Sequence, residues 1–120
     1  MEVAMIAGIY NITCEQGSTL TRTFRVQNPN ASVYDLTGYQ ARMQIRRDVD
    51  STTVLFTATS SPAAGITISN TFGEISLTMT ATQTAAIQRS GYYDLEIYNA
   101  AGVVYKVVKG KFNLSKEVTR

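Results

Sequence analysis

The sequence predicts an all-β protein, an antiparallel sandwich of about eight short strands, on three grounds. Apolar and polar residues alternate with a period of two in Tyr39-Gln-Ala-Arg-Met-Gln-Ile-Arg46 and in Gly91-Tyr-Tyr-Asp-Leu-Glu-Ile-Tyr98, as half-buried strands require. Runs of this kind recur at spacings of about 8–12 residues, separated by clusters of Gly, Pro, Asn and Ser. No stretch sustains a 3.6-residue apolar period long enough for an extended helix. A closed barrel is the alternative that these signals leave open.

Residues 9–15 read as an opening strand, and Gly17 supplies the turn before the run 19–27. There Leu20, Phe24 and Val26 share one face, with Arg22 the misfit among them. Pro29 and its Asn neighbours mark a loop, because Pro cannot donate to a ladder and Asn tolerates turn geometry. Tyr39, Ala41, Met43 and Ile45 then face inward, with Gln40, Arg42, Gln44 and Arg46 outward. The polar tip around Asp48, Asp50 and Ser51 predicts a hairpin back through 54–58. After a turn at 60–65, the runs 66–68 and 74–79 flank a turn at 70–73. Thr80 and Gln83 have capping-box spacing, which predicts one short helical turn near 80–87. In the next strand Tyr93, Leu95 and Ile97 face inward and Tyr92, Asp94, Glu96 and Tyr98 outward. A tight loop at 99–102 returns the chain through 103–109, and Gly110 reads as a bulge before 111–114. The helical turn ahead of the Gly-Tyr-Tyr-Asp-Leu strand resembles the crossover of immunoglobulin-like domains, although the cysteine pair and Trp of antibody domains are absent.

A length of 120 residues suits one β-sandwich domain over residues 1–120, with 1–8 and 115–120 as candidate terminal arms. Only 17% of residues are charged, so the polar surface relies on Ser, Thr, Asn and Gln, which suits strands and protein contact. The 11 Lys and Arg against 9 Asp and Glu give a net charge of +2, too little for a strong field towards nucleic acid. The single Cys14 has no partner for an intrachain disulfide, so a stapled secreted domain is not expected, and synthesis in the cytosol fits. The apolar tip at 1–8 lacks the basic flank of a signal peptide and is too short to cross a bilayer.

With no His, a hydrolytic triad would need a base that nothing in the chain singles out, so no enzymatic activity, catalytic residue, cofactor or metal is expected. Cys14 reads as a small core residue rather than a reactive thiol. Asp48 and Asp50 lack the Gly and later Glu of an EF-hand loop and read as a solvated turn. Asp94 and Glu96 could be taken for paired catalytic acids, but Lys106 and Lys109 on the next strand offer cross-strand ion pairs. Arg42 and Arg46, with Arg25 a further candidate, form a basic stripe. Without interleaved aromatics or a Gly-rich phosphate loop, the stripe fits protein contact better than nucleic acid. Outward Tyr92 and Tyr98 are interface-type residues as well.

Four segments carry a family likeness: Asp35-Leu-Thr-Gly-Tyr-Gln-Ala-Arg-Met-Gln-Ile-Arg46, Thr82-Gln-Thr-Ala-Ala86, Tyr93-Asp-Leu-Glu96, and Gly110-Lys-Phe-Asn-Leu-Ser-Lys-Glu-Val-Thr-Arg120. In this order, over residues 10–120, they resemble small tailed-bacteriophage virion proteins, in particular the immunoglobulin-like N-terminal domain of phage baseplate upper proteins. The long C-terminal receptor-device region of those proteins has no counterpart here. The resemblance implies a virion structural protein, made in the bacterial host cytoplasm, that joins tail, baseplate or fibre components in symmetry-related copies. A capsid decoration or neck protein of the same fold is the close alternative, and a carbohydrate-binding or host-adhesion module is the alternative from another class. The candidate interface residues are Arg42, Arg46, Tyr92 and Tyr98, joined by Val118 and Arg120 in the C-terminal tail.

Overall fold

Alternation with a period of two becomes two stacked sheets in the computed structural model, which describes residues 8–28, 30 and 32–119. The expectations for the N-terminal tip up to residue 7, for Pro29 and for Arg120 lie outside the described residues. In chain order the elements are β1 (Gly8–Ile9), β2 (Ile12–Glu15), β3 (Leu20–Arg25), β4 (Tyr39–Arg46), β5 (Val54–Thr59), β6 (Ile66–Ser69), β7 (Glu74–Met79), α1 (Ala81–Ala85), β8 (Gly91–Asn99) and β9 (Val104–Ser115). One sheet runs β1-β9-β8-β4-β5, with β2 also on β9, and the other runs β3-β7-β6. No pairing of these strands joins the two sheets, so among the described residues the architecture is an immunoglobulin-like sandwich and not a closed barrel.

Each strand turns its apolar set inward. Ala41, Met43 and Ile45 of β4, Tyr93, Leu95 and Ile97 of β8, and Phe112 of β9 meet Leu20, Ile75, Leu77 and Met79 of the second sheet in one core. Cys14 is fully buried on β2, where burial pushes its thiol pKa up against the pull of the Arg22 charge. Arg22 itself stays half-buried at the sandwich edge and donates to the carbonyls of Thr21 (2.8 Å) and Thr13 (3.2 Å). The two terminal nitrogens of this misfit therefore answer backbone groups, while its Nε is buried without a hydrogen-bond partner among the described residues.

The helical turn forms where the capping box stands. Thr80 Oγ1 accepts from the Gln83 amide (3.1 Å), and Gln83 Oε1 accepts from the Thr80 amide (2.9 Å). Behind it Thr84, fully buried, accepts from the Gly17 amide (3.0 Å), while its hydroxyl faces the Ser18 carbonyl (2.8 Å). Gln16 donates to the Ile87 carbonyl (2.8 Å) and accepts from the Glu117 amide (3.1 Å). The turn after β2 is thus tied to both the crossover and the C-terminal segment. Thr84→Val keeps the shape but strips partners from two backbone groups, so it should lower stability by about 1–3 kcal/mol. Urea denaturation checks this, and an unchanged midpoint would mean that water reaches the turn.

Two details differ from expectation. The opening segment pairs in parallel with β9, Gly8 opposite Val108 and Ile12 opposite Phe112, rather than antiparallel like the rest. The chain leaves β2 for β3 in the opposite sheet, so no hairpin fixes its direction. The bulge in β9 falls at Val107, not Gly110: Leu95 opposes Val108 and Glu96 opposes Lys106, which leaves Val107 as the extra residue. Val107 and Val108 are both buried in succession, as a bulge permits. Gly110 keeps regular register with Tyr93 and serves another end. A Cβ there would lie 2.8 Å from the carbonyl carbon of Tyr10 and closer still to its oxygen. The glycine therefore lets the crossing backbone of β1 and β2 close onto β9.

Candidate protein-contact surface

The outward residues of β5, β4, β8 and β9 line up in cross-strand rows on the outer face of the larger sheet. One row reads Thr59, Arg42, Glu96, Lys106; the next Thr57, Gln44, Asp94, Lys109; the third Val54, Arg46, Tyr92, Lys111. Tyr98 stands beyond the first row, between Gln40 and Val104. The face is an open groove of about 1000 Å³, lined among others by Arg42, Arg46, Tyr92, Lys109 and Lys111 and bordered by Ile9 and Val49.

Its first row is an ion-pair network. Glu96 accepts from Arg42 Nε and from Lys106 Nζ, and Lys106 also reaches Asp94 at 3.1 Å. The Arg42 guanidinium lies over the Tyr98 ring, 4.4 Å from its centroid. Burial alone would raise the Glu96 pKa, but hydrogen bonds and charge from Lys106 and Arg42 outweigh it and hold the carboxyl below its ordinary value. The hydrogen bond to Glu96 leads the causes that raise the pKa of Lys106.

The signs of these shifts set a pH window. The Glu96 contribution is present above the ordinary carboxylate pKa and fades as pH falls through its lowered folded value. That of Lys106 is present below the ordinary lysine pKa and fades as pH rises through its raised folded value. Glu96→Gln should therefore cost about 1 kcal/mol at neutral pH, with the deficit shrinking in acid. Melting temperatures of both proteins from neutral pH down through the carboxylate range check this, and parallel curves would deny the network any role.

Of the residues singled out from sequence, Arg42, Arg46, Tyr92 and Tyr98 share one face, and the first three line the groove. Arg46 also has internal work: it donates to the Ser51 carbonyl (2.7 Å) and to Gln44 Oε1 (2.9 Å), which props the β4–β5 tip. Arg25 does not join the stripe; it lies on β3 in the other sheet and pairs with Glu74 at 2.7 Å. Val118 is exposed beyond the end of β9, outside the groove lining. Asp48 sits at the hairpin tip, paired with Arg47 at 3.4 Å.

Sequence reasoning missed Lys109 and Lys111 as site residues; Lys109 was read, together with Lys106, as a cross-strand partner of Asp94 and Glu96. The register does place Lys109 opposite Asp94, yet Lys106 takes the Asp94 carboxylate. Lys109 and Lys111 are exposed and make no ion pair among the described residues. The signal was the Lys-Gly-Lys spacing, which puts both ammonium groups on one strand face.

Compared with protein-family models and with curated proteins, the chain finds no match.

Proposed function

We propose that the protein is a non-enzymatic structural component of a tailed-bacteriophage virion, an adaptor that joins tail, baseplate or fibre proteins through protein contact. One observation carries the reading. Three of the four segments that resemble phage virion proteins overlap β4, β8 and β9, which are neighbours in one sheet, and the fourth overlaps α1. The outer face of those neighbours collects Arg42, Arg46, Tyr92 and Tyr98, residue types enriched where proteins meet. The sheet beneath is backed by a packed core, so the face is presented rigidly, as an assembly part needs.

The partners are other virion proteins, present in symmetry-related copies. Cryo-electron microscopy of particles from the phage that encodes the chain tests this. Density at the tail or baseplate supports the adaptor, and density on the shell moves it to capsid decoration or a neck position. Absence from purified virions sinks both, and a glycan array on the free protein then tests the host-adhesion module through saturable binding that is lost in Tyr92→Ala.

A further inference from the structure

The groove on the outer face is electrically lopsided. Asp94 and Glu96 are answered within the network by Lys106 and Arg42, whereas Lys109, although opposite Asp94, and Lys111 stand exposed and make no ion pair among the described residues. Arg46 adds a third cation beside them, in the Lys111 row. The same end is apolar in a way a solvated sheet face need not be: Ile9 is 77% exposed, Val49 is 76% exposed, and the half-exposed Tyr92 ring lies between Arg46 and Lys111. A surface that offers cations and apolar groups together fits a ligand that carries both carboxylates and apolar side chains.

We infer that this end of the groove binds an extended acidic segment of a partner protein, its carboxylates on Lys109 and Lys111 and an apolar side chain against Tyr92 between Ile9 and Val49. The inference rests on the adaptor reading for the partner being a protein, and it names the chemistry of that partner. Nucleic acid fits less well, because the bordering Ile9 and Val49, both largely exposed, offer a phosphate backbone nothing. Charge pairs at the rim set the encounter rate and the register, while the apolar anchor supplies residence time.

The test titrates the full chain, followed by amide NMR, with a 12-residue peptide alternating Glu and Leu, with its Lys-for-Glu counterpart, and with a 12-nucleotide oligothymidine. The expected result is saturable shifts at Ile9, Tyr92, Lys109 and Lys111 with the acidic peptide alone. Affinity should fall at least tenfold in Lys109→Glu/Lys111→Glu. Arg89→Glu/Lys116→Glu, which changes net charge equally at exposed sites off the groove, should leave it within about twofold. Absence of shifts at these residues, equal losses in the two double variants, or tighter binding of oligothymidine would each overturn the inference. A Lys109→Glu/Lys111→Glu protein that enters particles at the wild-type level would overturn it too, yet leave the adaptor reading standing. Wild-type protein missing from particles would sink the adaptor reading, with the titration still deciding the groove.

Discussion

Phe112→Ala should destabilise the protein by about 3–5 kcal/mol, towards the top of that range, against a total of about 5–15 kcal/mol for a domain of this size. The magnitude follows from where the ring sits. Phe112 is wholly buried and among the largest side chains in the core. Its strand β9 is paired on both sides, with Ile12 opposite Phe112 on β2 and Gly91 opposite on β8. The cost of a truncation depends on how far the neighbours can collapse into the space left. Gly91 has no side chain to lend, and a Cβ built on it would already overlap the Arg46 carbonyl oxygen, so the β8 backbone is pinned on that side. The cavity should therefore stay open. Urea denaturation followed by circular dichroism should give a much lower midpoint with an unchanged slope. A loss below about 1.5 kcal/mol would mean that the second sheet closes over the gap.

The strands that run through the middle of the sheet were legible because one face is buried and the other wet. The alternation in 39–46 and 91–98 gave both the elements and their faces, down to the inward Tyr93 and the outward Glu96. The capping box was legible because it is local: Thr80 and Gln83 satisfy each other within three residues. What escaped depends on partners far along the chain. The direction of β1 and β2 depends on which sheet the chain enters next, and no local pattern records that. The bulge had a trace in the sequence, the consecutive apolar pair Val107-Val108, but Gly110 drew the assignment because glycine is the commoner bulge marker.

The site follows the same division. Arg42, Arg46, Tyr92 and Tyr98 were found because alternation alone places them on an outer face. Their engagements were not visible, since the Arg42 stack on Tyr98 and the Arg46 prop under Ser51 need coordinates. Lys109 was read, together with Lys106, as a cross-strand partner of Asp94 and Glu96; the register does set it opposite Asp94, yet the bulge at Val107 sets Lys106 opposite Glu96, where its ammonium reaches both carboxylates. One extra residue in β9 thus decides which lysines are neutralised and which are left to a partner.

Gly110→Ala should lower stability by about 2–3 kcal/mol, and the sign of the change carries the argument. By intrinsic preference, alanine in place of a strand glycine should stabilise by about 0.5–1 kcal/mol, because glycine has more freedom to lose on folding. Sterics predict the reverse here, since the new Cβ would meet the Tyr10 backbone, and Asn11 Oδ1 at 3.0 Å blocks the other side. Backbone cannot rotate away as a side chain can, so the whole β1–β2 segment must lift from β9. Three hydrogen bonds stand to go with it: Tyr10 N–H to the Lys109 carbonyl (2.9 Å), Lys111 N–H to Asn11 Oδ1 (2.9 Å), and Tyr93 O–H to the Tyr10 carbonyl (2.6 Å). The last leaves a buried phenol, already pushed to a raised pKa by burial, without its acceptor. Amide exchange should accelerate at Tyr10 and Lys111 while the β4–β8 ladder stays protected, because the damage is confined to one edge of the sheet. A stabilised Gly110→Ala variant would show instead that β1 and β2 yield freely, and Ile9 could not then serve as a fixed border of the groove.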